Sequence, residues 1–201
     1  GMKDSFGNDV SIHTEWQNSI MANAARDPYY FASVRMETQN SPQYLEAIEQ
    51  KCATCHAPMA VFTNVAAGEK TLLLGQQGIL AKDHSLHDLA VDGVSCAVCH
   101  QIPANPAGDL RQSGDLAIML DLSADERPIY GALPISEQNI TVMKAASGFT
   151  AVQSEHVRES TICASCHELY LNYIQTDGTL STGNDQFYEQ TPYSEWLVSD
   201  I

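Results

Sequence analysis

Apolar positions along this chain mark out short helical stretches separated by long polar connections. The first is SIHTEWQNSIMANAARD, where Ile12, Trp16, Ile20 and Ala24 recur at a helical interval. It predicts a helix over 11–26 that stops before Pro28. Ser41 and Pro42 read as an N-cap and first helical residue, leading a second helix through YLEAIEQKCATCH. Asp83 is placed to cap a short helix carrying His84 and His87, which Gly93 ends, so CAVCH starts on a new turn. Proline, glycine and mixed polar residues dominate 103–150, which reads as loop with one short strand at LAIMLDL. Ser154 is the expected cap of a last clear helix carrying His156 and TICASCHELYLNYI. TDGTLSTGND is a turn-rich loop. Thr191 and Pro192 open a further helix near Ile201, and the natural chain is expected to run on past that residue.

The expected fold class is therefore mainly α with long irregular loops, in a single domain over 1–201. A connection as long as 103–150 counts against a compact domain unless something besides side chains fills its interior. Hydrophobic residues make up 44% of the 201, so a core can form. Lysine and arginine number 10 against 25 aspartates and glutamates, a formal charge of −15. That surface repels nucleic acid and anionic lipid and suits a basic partner. No apolar run approaches the ~20 residues of a membrane span. The opening GMKDSFGNDV carries no signal-peptide pattern and reads as a processed or engineered start.

The cysteines change the picture most. All six fall in one pattern: CATCH (Cys52, Cys55, His56), CAVCH (Cys96, Cys99, His100) and CASCH (Cys163, Cys166, His167). A disulfide scaffold gives no reason for a histidine after each pair. Zinc needs four ligands per site, and Cys-Cys-His on one turn does not converge on one ion. A thioredoxin-like redox pair expects one motif in a βαβ setting, and neither condition is met. Covalent c-type haem accounts for every position. Two thiols three residues apart share a helix face and reach the two vinyl groups of one porphyrin, while the adjoining histidine ligates iron from the proximal side. Three haem c groups are thus expected, anchored at Cys52, Cys55, Cys96, Cys99, Cys163 and Cys166 with His56, His100 and His167 on iron. The motifs lie 44 and 67 residues apart, which is no fixed repeat. The porphyrins would supply the apolar mass that the side chains lack.

Each iron has a second axial position. Four histidines remain: His13, His84, His87 and His156. His156 lies seven residues before Cys163 and is the first candidate distal ligand, then His87, nine before Cys96, then His13. His84 would share a helix face with His87 and is the spare. Met21 and Met59 are alternatives, more readily explained as packing against a ring face. Paired histidines and an acidic surface both favour low potentials.

WQNSIMANAARDP, KCATCHAPMA, DGVSCAVCHQI, HVRESTICASCHELY and FYEQTPYSEWLVSD together resemble bacterial multihaem c-type cytochromes of the tetrahaem cytochrome and hydroxylamine-oxidoreductase group. The resemblance runs from Trp16 to Asp200 and is weakest over 103–130. It implies a multihaem cytochrome c fold organised around closely packed haems, mostly bis-histidine ligated, in an exported protein that passes electrons between respiratory partners. His56, His100 and His167 match proximal ligands, and His156 and His87 match positions that serve as distal ligands, often to a neighbouring haem. Such proteins often carry a further CxxCH soon after the EW..S segment, so this chain is either a fragment or a three-haem version.

Electron transfer without catalytic residues is the expected function. The alternatives are a reductase or oxidase of small nitrogen or sulfur compounds with one open iron, and a subunit of a polymeric filament. A redox partner with a basic docking surface is expected. Thioether attachment takes place outside the cytoplasm, which points to the periplasm or the cell surface.

Overall fold

The computed structural model describes residues 1–104, 116–118, 120 and 126–200. Helices dominate, with two small sheets and long connections between them. The chain divides into two compact units, Gly1–Val98 with Leu120–Leu122, and Cys99–Met119 with Ser123–Ile201.

The first unit is built on helices α1 (Ile12–Gln17), α2 (Pro28–Asn40), α3 (Leu45–His56), α4 (Pro58–Ala66), α5 (His87–Val91) and the start of α6 (Cys96–Cys99). The helix expected over 11–26 is only six residues long and is followed by a 3₁₀ turn at Met21–Asn23. The break has a local cause. The Asn18 side chain donates to the Thr14 carbonyl, and the Ser19 hydroxyl accepts from the Ala22 amide, so polar side chains take over the backbone's partners. Ile12 and Ile20 are consequently exposed rather than aligned on a buried stripe.

Helix α2 was not anticipated, although Asp27 caps it by accepting from the Tyr29 amide and Pro28 opens it. The helix expected after Ser41 is present as a 3₁₀ turn at Pro42–Tyr44 running into α3, and the Ser41 side chain does not cap it. The core packs Val34 of α2, Ala53 of α3 and Ala60 and Val61 of α4 with Ala57, Leu73 and Ile79. Small residues at 53, 57 and 60 let the helices approach closely. Buried Glu49 closes this core, its Oε2 accepting from the Leu73 and Leu74 amides at 2.7 and 3.3 Å.

The short helix expected to hold both His84 and His87 begins only at His87, so the two do not share a helix face, and Asp83 caps nothing. It ends before Gly93, as expected. Gly93 sits at φ +65°, and a Cβ there would fall 2.6 Å from the Met21 carbonyl oxygen. That carbonyl accepts from the Val94 amide at 3.0 Å. The close approach admits only glycine.

The second unit holds strand β1 (Arg127–Gly131), helix α7 (Glu137–Ser147), β2 (Phe149–Gln153), a 3₁₀ turn at Glu155–Arg158, α8 (Thr161–His167), β3 (Leu169–Leu171), β4 (Phe187–Gln190) and α9 (Pro192–Leu197). β1 and β2 pair in parallel, Arg127 opposite Phe149 through Gly131 opposite Gln153. A parallel pair needs a crossover, and α7 supplies it. Thus 127–153, which falls largely in the stretch 103–150 expected to be loop, is a βαβ unit. It contains no cysteine, so the thioredoxin arrangement is still not met. Ser136 caps α7 at the Asn139 amide, and Gly148 ends it at φ +75°.

Of the expected strand LAIMLDL, Leu116, Ala117, Ile118 and Leu120 are not in a strand, and 119, 121 and 122 lie outside the described residues. The helix expected from Ser154 through the third motif is two elements, and beyond His167 the chain becomes strand β3, pairing antiparallel with β4. α9 begins at Pro192, as Thr191 and Pro192 suggested. Among the described residues no helix is long and apolar enough to cross a membrane.

Candidate functional site

Each CxxCH motif places its cysteines three residues apart on a helix and its histidine at or just past the helix end. Cysteines at that spacing lie on one face. No disulfide joins any of the six. Among the described residues no three histidine, cysteine or acidic side chains gather as a bare metal ion would require. The thiols and imidazole are instead spread along a helix terminus.

In the first motif Cys52 and Cys55 flank buried Ala53 and Thr54, which anchor α3 in the core. The His56 Nδ1–H donates to the Ala24 carbonyl at 3.0 Å. That bond selects the neutral tautomer with its lone pair on Nε2, the nitrogen that ligates iron in such sites. The Tyr30 ring stacks on the imidazole, centroids 3.8 Å apart and planes 2° from parallel. His56 is therefore fixed in tautomer by a carbonyl and in plane by an aromatic face. The buried Tyr30 hydroxyl has no hydrogen-bond partner. Burial pushes its pKa well up, and the charges of Cys52, Cys55 and Glu49 push it further.

The second motif sits on α6, with Val98 buried between its cysteines. The His100 Nδ1–H donates to the Tyr130 carbonyl in a short hydrogen bond, and the Tyr130 amide donates back to the His100 carbonyl at 2.7 Å. One residue of β1 thus brackets His100 on both sides. His100 is thereby held in the same tautomer as His56, with its lone pair on Nε2.

The third motif is held by the residue after it. Glu168 is fully buried, and its carboxylate accepts from the Ser194 amide at 2.9 Å and from the Ser194 and Tyr170 hydroxyls at 3.0 Å. The Gln190 side chain donates to the Cys166 carbonyl at 3.2 Å. α8 is thereby tied to α9 and β4. His167 is exposed.

The four remaining histidines fall in different settings. His156 has both ring nitrogens engaged, Nε2 with the Ile102 carbonyl at 2.8 Å and Nδ1 with the Ser154 hydroxyl at 2.7 Å. His84 Nδ1 accepts from the Leu86 amide at 3.0 Å, which leaves the proton on Nε2. His87 keeps a buried Nδ1 with no hydrogen-bond partner. A buried polar nitrogen without a partner is uncommon in a folded chain and marks a place where a ligand interaction would be recovered. His13 is exposed and stacks on Trp16, centroids 6.2 Å apart. Met59 lies on α4, three residues past His56, and Met21 is half-exposed.

No family model, no curated protein and no solved structure matches the chain. What the site can hold is therefore set by its own residues.

On that footing the residues fit a thioether-linked porphyrin. They offer two thiols on one helix face and, in the first two motifs, an imidazole whose Nδ1–H is already committed to a carbonyl. Tyr30 and Tyr130, which orient His56 and His100, were not foreseen. They lie 26 and 30 residues from their histidines, and no local pattern links them.

Proposed function

We propose that this chain is an exported electron-transfer protein carrying three covalently attached c-type haems. Cys52 and Cys55, Cys96 and Cys99, and Cys163 and Cys166 anchor one group each. His56, His100 and His167 hold iron from the proximal side. When bound, haem supplies reversible one-electron exchange at iron. The protein's part is to hold the imidazoles in tautomer and orientation, to bury part of each ring and to set the charge around it.

The observation that carries the reading is the pairing of two facts. The three motifs use every cysteine, and two of the motif histidines donate Nδ1–H to a backbone carbonyl. A disulfide scaffold would share the first fact and zinc the second, but neither accounts for a histidine placed directly after every cysteine pair. His87 is the favoured distal ligand, because its buried Nδ1 accepts no hydrogen bond and nothing forces its proton onto Nε2, whereas His84 accepts at Nδ1 and so carries its proton on Nε2. Paired histidine ligation at most of the irons, with Met21 or Met59 as the donor at the remaining one, would leave little open iron, as suits a carrier. The acidic surface, −15 over the chain, suits a redox partner with a basic docking face. Attachment of this kind places the protein in the periplasm or at the cell surface.

The test is a pyridine haemochrome spectrum with intact mass, on protein made in a host that attaches haem c. Three haems per chain is the expected result, and fewer overturns the count. Carbon monoxide added to the reduced protein should bind little, and substantial binding would overturn the closed-iron reading.

A further inference from the structure

Building on the haem reading above, we infer that His156 is a positioning residue for His100, the proximal histidine of the second motif, and is not itself an axial ligand. A neutral imidazole has one N–H to give and one lone pair to offer. In His156 both are spent. Nε2–H donates to the Ile102 carbonyl, and Nδ1 accepts from the Ser154 hydroxyl. Ligation through Nε2 would leave the carbonyl of Ile102, a residue only 2% exposed, without this donor. Ligation through Nδ1 would displace Ser154.

Each contact of His156 leads back to His100. Ile102 lies two residues beyond it in the chain. Tyr130 meets the His156 ring edge-on, centroids 5.0 Å apart at 75°, and brackets His100 with both of its backbone groups. Ser154, the second partner of His156, donates its amide to the Gly131 carbonyl at 2.8 Å, the next residue of β1. His156 therefore joins the turn after the second motif to the strand whose carbonyl holds His100. The strength of a hydrogen bond to the far nitrogen of a ligating imidazole is a lever on the metal's potential. His156 acts on that lever by keeping β1 in place.

The experiment uses the haem-loaded full chain. A haemochrome count on the unaltered protein comes first, and a value below three would overturn the haem reading independently of this inference. His156→Ala, His156→Gln and Ser154→Ala are then compared by low-temperature EPR, carbon monoxide binding and redox titration. In His156→Ala the low-spin signals and the lack of carbon monoxide binding should persist, while one of the three midpoint potentials shifts. His156→Gln restores a donor toward Ile102 and should bring that potential part of the way back. Ser154→Ala should shift the same potential by less. A new high-spin signal or new carbon monoxide binding in His156→Ala would make His156 an axial ligand and overturn the inference. Unmoved potentials with a lowered Tm would reduce it to a structural role and overturn it equally. If His156→Ala does not accumulate, Ser154→Ala decides. It retains the imidazole, so a shifted potential with unchanged ligation supports positioning, and an unshifted potential refutes it.

Discussion

The first and third motifs carry the same chemistry on differently built supports. α3 is set among close-packed apolar side chains, with Ala53 and Ala57 fully buried around its cysteines and Val61, Leu73 and Ile79 completing the core. Around α8 the buried apolar surface is thin. Among the described residues of the second unit only Ile102, Leu116, Ala151 and Ala164 are buried hydrophobics. There the motif is held by hydrogen bonds to a buried carboxylate and to a strand. Packing is non-directional and gains strength from area, whereas hydrogen bonds contribute modestly when made and cost more when broken. The first motif is thus placed by an apolar core of the protein's own side chains. The third is placed by a network that has little core to lean on.

Four experiments press on that contrast. The largest effect is expected when the chain is made without haem attachment. Amide exchange measured by mass spectrometry should then stay slow across α3 and α4 and become fast across α8 and α9. Equal protection in both regions would remove the contrast. Next comes Leu73→Ala, which deletes a fully buried side chain of the first core and should cost about 2–5 kcal/mol in denaturant unfolding. Glu168→Gln follows. An amide in place of the carboxylate exchanges one acceptor oxygen for an NH2 donor that faces donors from Ser194 or Tyr170, at an expected cost of about 1–3 kcal/mol, with exchange rising in α8 and α9. A neutral result would mean that the third motif does not depend on that carboxylate.

The smallest effect concerns pH at the amino-terminal turn. Hydrogen bonds from Asn8 lower the Asp4 pKa below its ordinary 3.8, and those from Ser11 lower Asp9 in the same way. A depressed folded-state pKa gives stability that is present above the unfolded value and lost as pH falls through the folded one. Carboxyl shifts followed by NMR should show both aspartates titrating below 3.8, with the turn over 4–14 loosening there. Asp9 is exposed, Asp4 is half-buried within the turn, and neither belongs to the core around α3, so that core should not respond.

Much of the helical framework was legible in the sequence, because caps and breakers act locally. Gly93 ended α5, Pro192 opened α9, and the stretch after Ser41 became α3. α2 and α7 also had legible signals, Asp27 with Pro28 and Ser136 with Gly148, but weak apolar periodicity hid them. The β1–β2 pair was not legible, because a parallel partner lies a whole crossover away and leaves no mark at short range. The long helix expected from Ile12 failed because Asn18 and Ser19 bond the backbone themselves, and no apolar interval records that competition.

By itself the sequence determined the six thiols and three histidines and their spacing, which is the part of the site that one turn of helix can express. It also limited the remaining histidines to four. Only the tertiary structure decided which imidazoles have their nitrogens spent and which do not. His56 meets the carbonyl of Ala24, His100 that of Tyr130 and His156 that of Ile102, across 30 residues or more of chain. Hydrogen-bond partners at that separation are chosen by packing, because a backbone carbonyl is chemically the same at every position and only the fold brings one of them within reach.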